Sequence, residues 1–422
     1  MKRIKMRKEN KTLLFNTIMM YIMLASTFVF PLLTLPHLTR TLGAANYGIV
    51  VFANAVMQYF QLFIDFGFIL SGTAACSKER ENKNRLQTII SSIVYGKLFL
   101  SFVGLAIVCL LVLLLDVFNG KELFMICSYI PLMLTSFVPD YLFRGIERMG
   151  VITFRTIAAK FVYTLMIFIL VRNTDSYYFI PFSLFISNLI IVLWSWSFIV
   201  KKLKLKIVKV NVKDVKKQLK ASAEFFASRI ATTVYSASNV FALSLYGYSD
   251  ADMGIYGAAN TLISYGKRLF PPIADSLYPY MIKNKNHKLV RKILLVLCPV
   301  ILVGCVLLFV ISDFVISLMA GREYMDSVPI FRCMIPMLIV ILPSYLYGFP
   351  MLGSIGRNDK ANQSVFIGAG FHFVGLVLLF ATGLLDFYSI TVLTTVTETI
   401  ILITRVYFFN KYKKLVNKGN NK

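Results

Sequence analysis

Uncharged apolar runs of about 20 residues, the length needed to cross the hydrocarbon core of a bilayer, recur along the whole of this chain. Each is too apolar to face water, so the runs constrain the fold more tightly than any other feature. Twelve spans are predicted, at about 12–35, 47–72, 87–115, 122–142, 155–171, 177–200, 221–245, 254–280, 291–317, 328–350, 364–384 and 387–410. Several are long or carry an internal proline, which points to tilted or broken helices. The predicted class is an all-α integral membrane protein.

Charge is scarce, 15% of residues against about 25% in a soluble chain, yet the balance is +25. Its placement explains the imbalance. One set of connections carries Lys2, Arg3, Lys5, Arg7, Lys8 and Lys11, then the stretches Lys78–Arg85, Arg144–Arg155, Lys201–Lys220, Lys283–Lys292, Arg357–Lys360 and Lys411–Lys422. The alternate set holds little beyond Arg40, Lys121, Arg172 and Arg322. By the positive-inside rule the first set, with both termini, is expected to be cytoplasmic, and twelve spans agree with that parity. A basic chain otherwise suggests nucleic acid, but no aqueous segment is long enough to fold into a domain that presents a patch. The longest, Lys201–Lys220, alternates Lys with Leu, Ile and Val, and reads as a solvated linker or a segment lying on an anionic leaflet.

Other function classes fall away in turn. Thr12–Pro36 is too long for the apolar region of a signal peptide and is expected to remain as the first span. Cys76, Cys109, Cys127, Cys298, Cys305 and Cys333 fall mostly within spans, without metal-ligand spacing, so neither a metal nor a disulfide is expected. Among His37, His287 and His372, only His372 could line a cavity, and a packed neutral histidine is the commoner arrangement. No phosphate-binding glycine loop of the Walker type exists, and no cofactor is expected. Asp250-Ala-Asp252 has the D-x-D form that some glycosyltransferases use to hold a metal and a nucleotide sugar, but it sits in a short loop without a supporting domain. It reads as an exposed acidic loop, and the chain is not expected to be an enzyme.

The chain repeats itself. Ala45-Asn-Tyr-Gly48-Ile-Val-Val-Phe-Ala53-Asn54 aligns with Ala251-Asp-Met-Gly254-Ile-Tyr-Gly-Ala-Ala259-Asn260, each opening the second span of a six-span half. Six is even, so the halves share one orientation and are predicted to be related by a pseudo-two-fold along the membrane normal, with a site between them. The division is an N-terminal bundle 1–200, a basic cytoplasmic linker 201–220 and a C-terminal bundle 221–422.

The residues that carry the repeat also carry a resemblance. Pro31-Leu-Leu-Thr-Leu-Pro-His-Leu-Thr-Arg40-Thr-Leu42-Gly43-Ala-Ala-Asn-Tyr47-Gly48 and Asp65-Phe66-Gly67-Phe68 resemble signatures of bacterial polysaccharide flippases. Phe225-Phe226, Gly254-Ile-Tyr256-Gly-Ala-Ala259 and Leu277-Tyr278-Pro279 resemble the matching elements of the second half. Over nearly its whole length the chain resembles the O-antigen flippase (Wzx-type) family of the multidrug/oligosaccharidyl-lipid/polysaccharide (MOP) exporter superfamily. The resemblance implies a MATE-like two-bundle fold in the bacterial inner membrane. It also implies alternating-access transfer of an undecaprenyl-diphosphate-linked oligosaccharide from the cytoplasmic to the periplasmic leaflet, alongside other proteins of polysaccharide assembly. The alternatives are a flippase for another polyprenyl-linked glycan, of capsule or peptidoglycan, and a multidrug or organic-cation exporter.

Ionisable residues inside spans are expensive, at about 2.5–3.5 kcal/mol each at the membrane centre on insertion scales, and are therefore the candidate working groups. Arg229, Lys97 and Glu398 fall near mid-membrane, Lys267 and Arg268 just before Pro271-Pro272, and Asp65 nearer the cytoplasmic end of its span. Ser228, Thr232, Tyr235, Ser236 and Asn239 recur at helical spacing beside Arg229, as the wall of a wet cavity or as helix-packing hydroxyls. Glu398 and Arg405 share a face and could support each other. Cations outnumber carboxylates, which suits a diphosphate head group better than a cationic drug. Arg40, at an outer span end, could receive that head group or snorkel at the interface. Energy would then come from cargo gradients or from ion coupling, for which Asp65 and Glu398 are the candidates.

Overall fold

The computed structural model describes the backbone of residues 2–419, and the side chains of all of these except 2–14, 17, 227–228, 232, 234–236 and 414–419. Among the described residues all regular structure is helical, in sixteen α-helices with short 3-10 and π turns between them. They are α1 (Lys2–Asp65), α2 (Phe68–Lys78), α3 (Lys83–Leu114), α4 (Glu122–Thr135), α5 (Asp140–Gly145), α6 (Met149–Leu170), α7 (Phe179–Phe198) and α8 (Val212–Tyr246). The remainder are α9 (Asp250–Lys267), α10 (Pro271–Asn284), α11 (His287–Val310), α12 (Ser312–Met319), α13 (Ser327–Met334), α14 (Pro336–Leu346), α15 (Asn358–Ala381) and α16 (Phe387–Gly419).

Among the described residues, nine segments are long and apolar enough to span a membrane, and the first of them, Ile18–Lys78, has length for two passes. Gly43 divides it: its φ of 70° interrupts the helical dihedrals of α1, a conformation that glycine adopts without a Cβ penalty. The predicted spans 221–245 and 254–280 are helical too, as α8 and as α9 with α10, but are not among those nine. Their polar stripe and the Lys267-Arg268 pair lower their hydropathy. The fold is thus the predicted all-α, multi-pass one.

The helices gather into two compact units. One comprises Met1–Asn46 and Ala53–Ile230, the other Tyr47–Phe52 and Ala231–Lys422, so α1 and α8 each contribute to both. In the first unit α2 packs on α5, and α7 on both α4 and α6. The break between α1 and α2 falls on the Asp65-Phe66-Gly67-Phe68 motif, with positive φ at Phe66 (40°) and Gly67 (78°). A Cβ on Gly67 would lie 2.7 Å from the Ser222 carbonyl oxygen and 2.8 Å from Phe225 Cβ, so glycine lets α8 cross at backbone distance. Ser71 and Ser222 share a 2.6 Å hydroxyl bond there, and the Phe66 and Phe226 rings stack 4.4 Å apart. Two motifs far apart in sequence are thereby one packing joint.

The basic stretch 201–220 is more ordered than a solvated linker. Its Lys/Leu alternation buries Leu205 in the core of the first unit while its lysines stay exposed. The Lys206 amide donates to Gln87 Oε1 at 3.0 Å and the Val208 amide to Ser91 Oγ at 2.9 Å, so α3 holds this irregular passage before α8 begins.

In the second unit α15 and α14 both pack on α16. The short Tyr47–Phe52 segment docks through the repeat: a Cβ on Gly48 would lie 1.7 Å from the Asp250 carbonyl oxygen and 2.8 Å from the Gly254 amide nitrogen. Gly257 receives Val51 equally closely. The two copies of the internal match therefore touch each other, and their glycines are what permits it.

Candidate functional site

Asp65 is the last residue of α1 because the positive-φ turn at Phe66 and Gly67 ends the helix there. Within the membrane, irregular backbone is tolerated where it is buried or lines a cavity, and here Gly67 is buried against α8 while Asp65, just before the break, lines a cavity. Asp65 Oδ1 accepts a 3.0 Å bond from Lys97 Nζ on α3, and Lys97 is only 5% exposed. A second pair lies beside it. Asp140, which opens α5 after Pro139, meets the guanidinium of Arg155 on α6. That arginine is 1% exposed, donates also to Ser195 Oγ on α7, and lies 5.3 Å from the Phe143 ring centroid. Both pairs open on one cavity of about 280 Å³, whose polar lining includes Gln61 and Asn188.

A third cation belongs to this cluster, since the Arg229 charge from α8 acts on Asp65. Two carboxylates and the buried Lys97 and Arg155 thus share this cavity, and the exposed Arg229 adds a third positive charge that acts on Asp65. In such a place an unpaired charge is far more costly than in water. A proton or cation arriving at a carboxylate would release its lysine or arginine toward an anion, and a phosphate oxygen arriving at the cation would do the reverse.

The second unit holds a different arrangement. Asn239 on α8 donates through Nδ2 to Thr394 Oγ1 at 2.8 Å and to the Tyr256 hydroxyl at 3.2 Å. Its Oδ1 is then left to accept from His372 Nε2 at 3.0 Å, while His372 Nδ1 meets Thr397 Oγ1 at 3.0 Å. His372 and Asn239 are buried, so this knot ties α8, α9, α15 and α16 together. Arg405 is buried as well, donating to Ser364 Oγ at 2.9 Å and to the Ser344 carbonyl at 2.8 Å beside the Gly348 break. Its charge also reaches Glu398, which interacts more strongly with Lys267.

The sequence candidates are therefore distributed. Lys97, expected to hold cargo, and Asp65, expected to couple an ion, are partners, with Arg229 near them. Lys267 and Glu398 are neighbours in the second unit, and Asn239 sits in the histidine knot. Arg268 is exposed, its guanidinium 5.8 Å from the Tyr265 ring centroid, and Arg40 is exposed. Ser228, Thr232, Tyr235 and Ser236 lie outside the described residues.

One expectation is corrected. The stretch Arg144–Arg155 reads in the sequence as an aqueous connection, yet Arg155 is buried and paired. The pair escapes sequence reasoning because α5 is a six-residue helix that turns back before α6, and nothing in local spacing brings Asp140 to Arg155. A usable signal was Asp140 itself, an acid following an apolar run in a segment otherwise basic. The Asp250-Ala-Asp252 motif starts a helix. Asp252 accepts from the Ser249 amide at 3.0 Å and Ser249 Oγ caps the Asp252 amide, so together they open α9.

A 25% identical protein of Escherichia coli (strain K12), described as "Putative O-antigen transporter", aligns over 95% of this chain and 97% of its own length. A protein of the same description from Shigella dysenteriae is 25% identical over 89% of this chain and 93% of its own. Among solved structures, the lipid II flippase MurJ in an inward closed conformation matches with a TM-score of 0.70 at 12% identity, covering 93% of this chain and 87% of that one. An inward-facing multidrug resistance MATE family transporter of the MOP superfamily matches with a TM-score of 0.68 at 12% identity, covering 91% and 95%. At that identity the likeness is one of fold. The profile of the family described as polysaccharide biosynthesis protein matches residues 13–285, well over half of the sequence. This chain is therefore a multi-pass membrane protein that belongs to the polysaccharide biosynthesis protein family and has the fold of the MOP superfamily transporters.

Proposed function

We propose that the protein is a flippase that moves an undecaprenyl-diphosphate-linked oligosaccharide, an O-antigen repeat unit, from the cytoplasmic to the periplasmic leaflet of the bacterial inner membrane by alternating access. Both termini are cytoplasmic in this reading, as the alternation of basic and neutral connections requires. The observation that carries the cargo class is charge. The cluster around Asp65 and Asp140 has three cations for two carboxylates, and the cluster around Glu398 has Lys267 and Arg405 for one. Each leaves one positive charge in excess, which favours an anionic head group over a cationic drug. The O-antigen description of the relatives from Escherichia coli and Shigella dysenteriae supports the glycan class.

Deletion of the gene is expected to leave one lipid-linked repeat unit accumulated on the cytoplasmic side and to remove the surface polymer. Full-length surface glycan in that strain would overturn the reading, and accumulation of a capsule or peptidoglycan precursor instead would reassign the cargo. Within the protein, Arg229→Ala at wild-type abundance is expected to abolish complementation, because it removes a positive charge that acts on Asp65. Unchanged surface glycan would take Arg229 out of the pathway.

Coupling is assigned to the carboxylates Asp65 and Glu398. In proteoliposomes the double variant Asp65→Asn/Glu398→Gln is expected to transport at a rate that no longer responds to proton or sodium gradients. A response equal to wild type would remove ion coupling from these two groups.

A further inference from the structure

The Lys201–Lys202 end of the first unit carries two adjoining recesses on its exposed surface, sharing a ridge formed by Trp194 and Phe198. The larger, about 770 Å³, lies between Phe15 and Asn16 of α1, the Ile146–Arg148 turn, and the first turns of α6 as far as Phe154. The smaller, about 420 Å³, follows α7 along Ile190, Leu193, Trp194, Ser197 and Phe198 to Lys201 and Lys202. Those α7 positions advance by threes and fours, so they form one stripe along the helix. From Ile190 to Lys202 the stripe is about 18 Å long at 1.5 Å per residue, close to the depth of one leaflet, about half of a 30 Å hydrocarbon core.

The order of chemistry along the stripe is that of a lipid molecule. Aliphatic side chains come first, then an indole and a phenyl ring, then two ammonium groups. Trp194 is 44% exposed, where a tryptophan at the polar–apolar boundary is expected to sit. Lys201, Lys202 and Arg148 are exposed at the rim. Among the described residues the rim carboxylate is Glu147, which is 3.5 Å from Arg80, and this leaves the rim positive. Basic groups at the end of an apolar groove between membrane helices recognise anionic head groups.

We propose that this groove binds one anionic phospholipid of the leaflet at the Lys201–Lys202 end. An acyl chain lies along Ile190 and Leu193, the glycerol region sits at Trp194, and the phosphate lies among Lys201, Lys202 and Arg148. The site is separate from the cavity at Asp65, and the lipid is a bound component, distinct from the cargo.

Trp194 supplies the readout. The other tryptophan, Trp196, donates inward to the Phe137 carbonyl at 2.9 Å. The full-length protein is placed in phosphatidylcholine vesicles containing equal fractions of bromine-labelled phosphatidylglycerol or bromine-labelled phosphatidylcholine. The quenching lost in Trp194→Phe, a surface substitution, isolates the Trp194 signal. Phosphatidylglycerol is expected to associate about fivefold more strongly than phosphatidylcholine, and Lys201→Gln/Lys202→Gln to bring the two within about twofold. Equal quenching by both lipids in the wild type would overturn the proposal, as would a preference that survives the lysine substitutions. Undecaprenyl phosphate that displaces phosphatidylglycerol one for one would transfer the groove to the polyprenyl lipid and overturn it equally.

Discussion

Arg155→Ala is expected to destabilise the first unit by about 3–5 kcal/mol, the cost of breaking a buried ion pair by removing one partner. The residue is almost wholly buried, and its guanidinium serves Asp140, Ser195 and the face of Phe143 together. Alanine would strand a carboxylate beside the Asp65–Lys97 pair and open a void where the long side chain had packed. Asp140→Leu combined with Arg155→Met tests the physics behind the number. Removing both charges and keeping the volume is expected to cost far less than either single change, because no desolvated ion remains. Thermal unfolding of the detergent-solubilised protein, read beside abundance in the membrane, measures Arg155→Ala, Asp140→Leu, Arg155→Met and the double variant. If the double variant loses as much as the singles combined, Arg155 acts through packing and the electrostatic account is wrong. Because Asp140 and Arg155 line the same cavity as Asp65, the stable double variant also permits a transport assay in which only the second pair is missing.

Gly48→Ala is the second large effect, about 3 kcal/mol or more, at the upper end of what overpacking costs. The added methyl would sit 1.7 Å from a backbone carbonyl oxygen, that of Asp250, and backbone cannot swing aside as the end of a side chain can. The segment Tyr47–Phe52 would have to lift from α9, exposing the packed faces of Phe52 and Phe241, whose rings stack 6.2 Å apart, and of Tyr47 and Tyr324 at 6.1 Å. Gly304→Ala is the control. Gly304 lies within α11, where a Cβ would meet nothing within 4 Å. That change is expected to be neutral or to stabilise by up to about 1 kcal/mol through helix propensity. Comparable melting temperatures for the two variants would show that the Gly48 crossing is looser than its geometry implies.

Much of this protein is legible in one dimension because hydrocarbon imposes a one-dimensional rule. A long uncharged run must close its own backbone hydrogen bonds, so helices can be read off hydropathy with little knowledge of their neighbours. Spans 221–245 and 254–280 show where hydropathy weakens as a guide: α8 and α9 are rich in polar residues, the buried Asn239 among them, which lowers the apolar signal while the helices persist. The Asp65-Phe66-Gly67-Phe68 motif was visible as a motif, but its purpose was not. Gly67 is there for the backbone of α8, which arrives from beyond Ser222. The basic stretch 201–220 reads as solvated because lysine dominates it, while one leucine, Leu205, decides where it docks.

The order of residues alone determined that the chain crosses a membrane repeatedly as helices, that it duplicates one pattern, and that charge is kept sparingly within its spans. These are properties of single helices in a solvent that cannot hydrogen-bond, and each helix reports them by itself. Only the tertiary structure decided which charges answer which: Asp65 pairs with Lys97 and Asp140 with Arg155, while the Lys267 charge acts on Glu398. A charge buried in one helix is stabilised from another, and helical spacing says which way a side chain faces without saying what stands opposite. The pairing follows from how the broken ends at Gly67 and Pro139 aim their neighbouring carboxylates, and that is settled by packing.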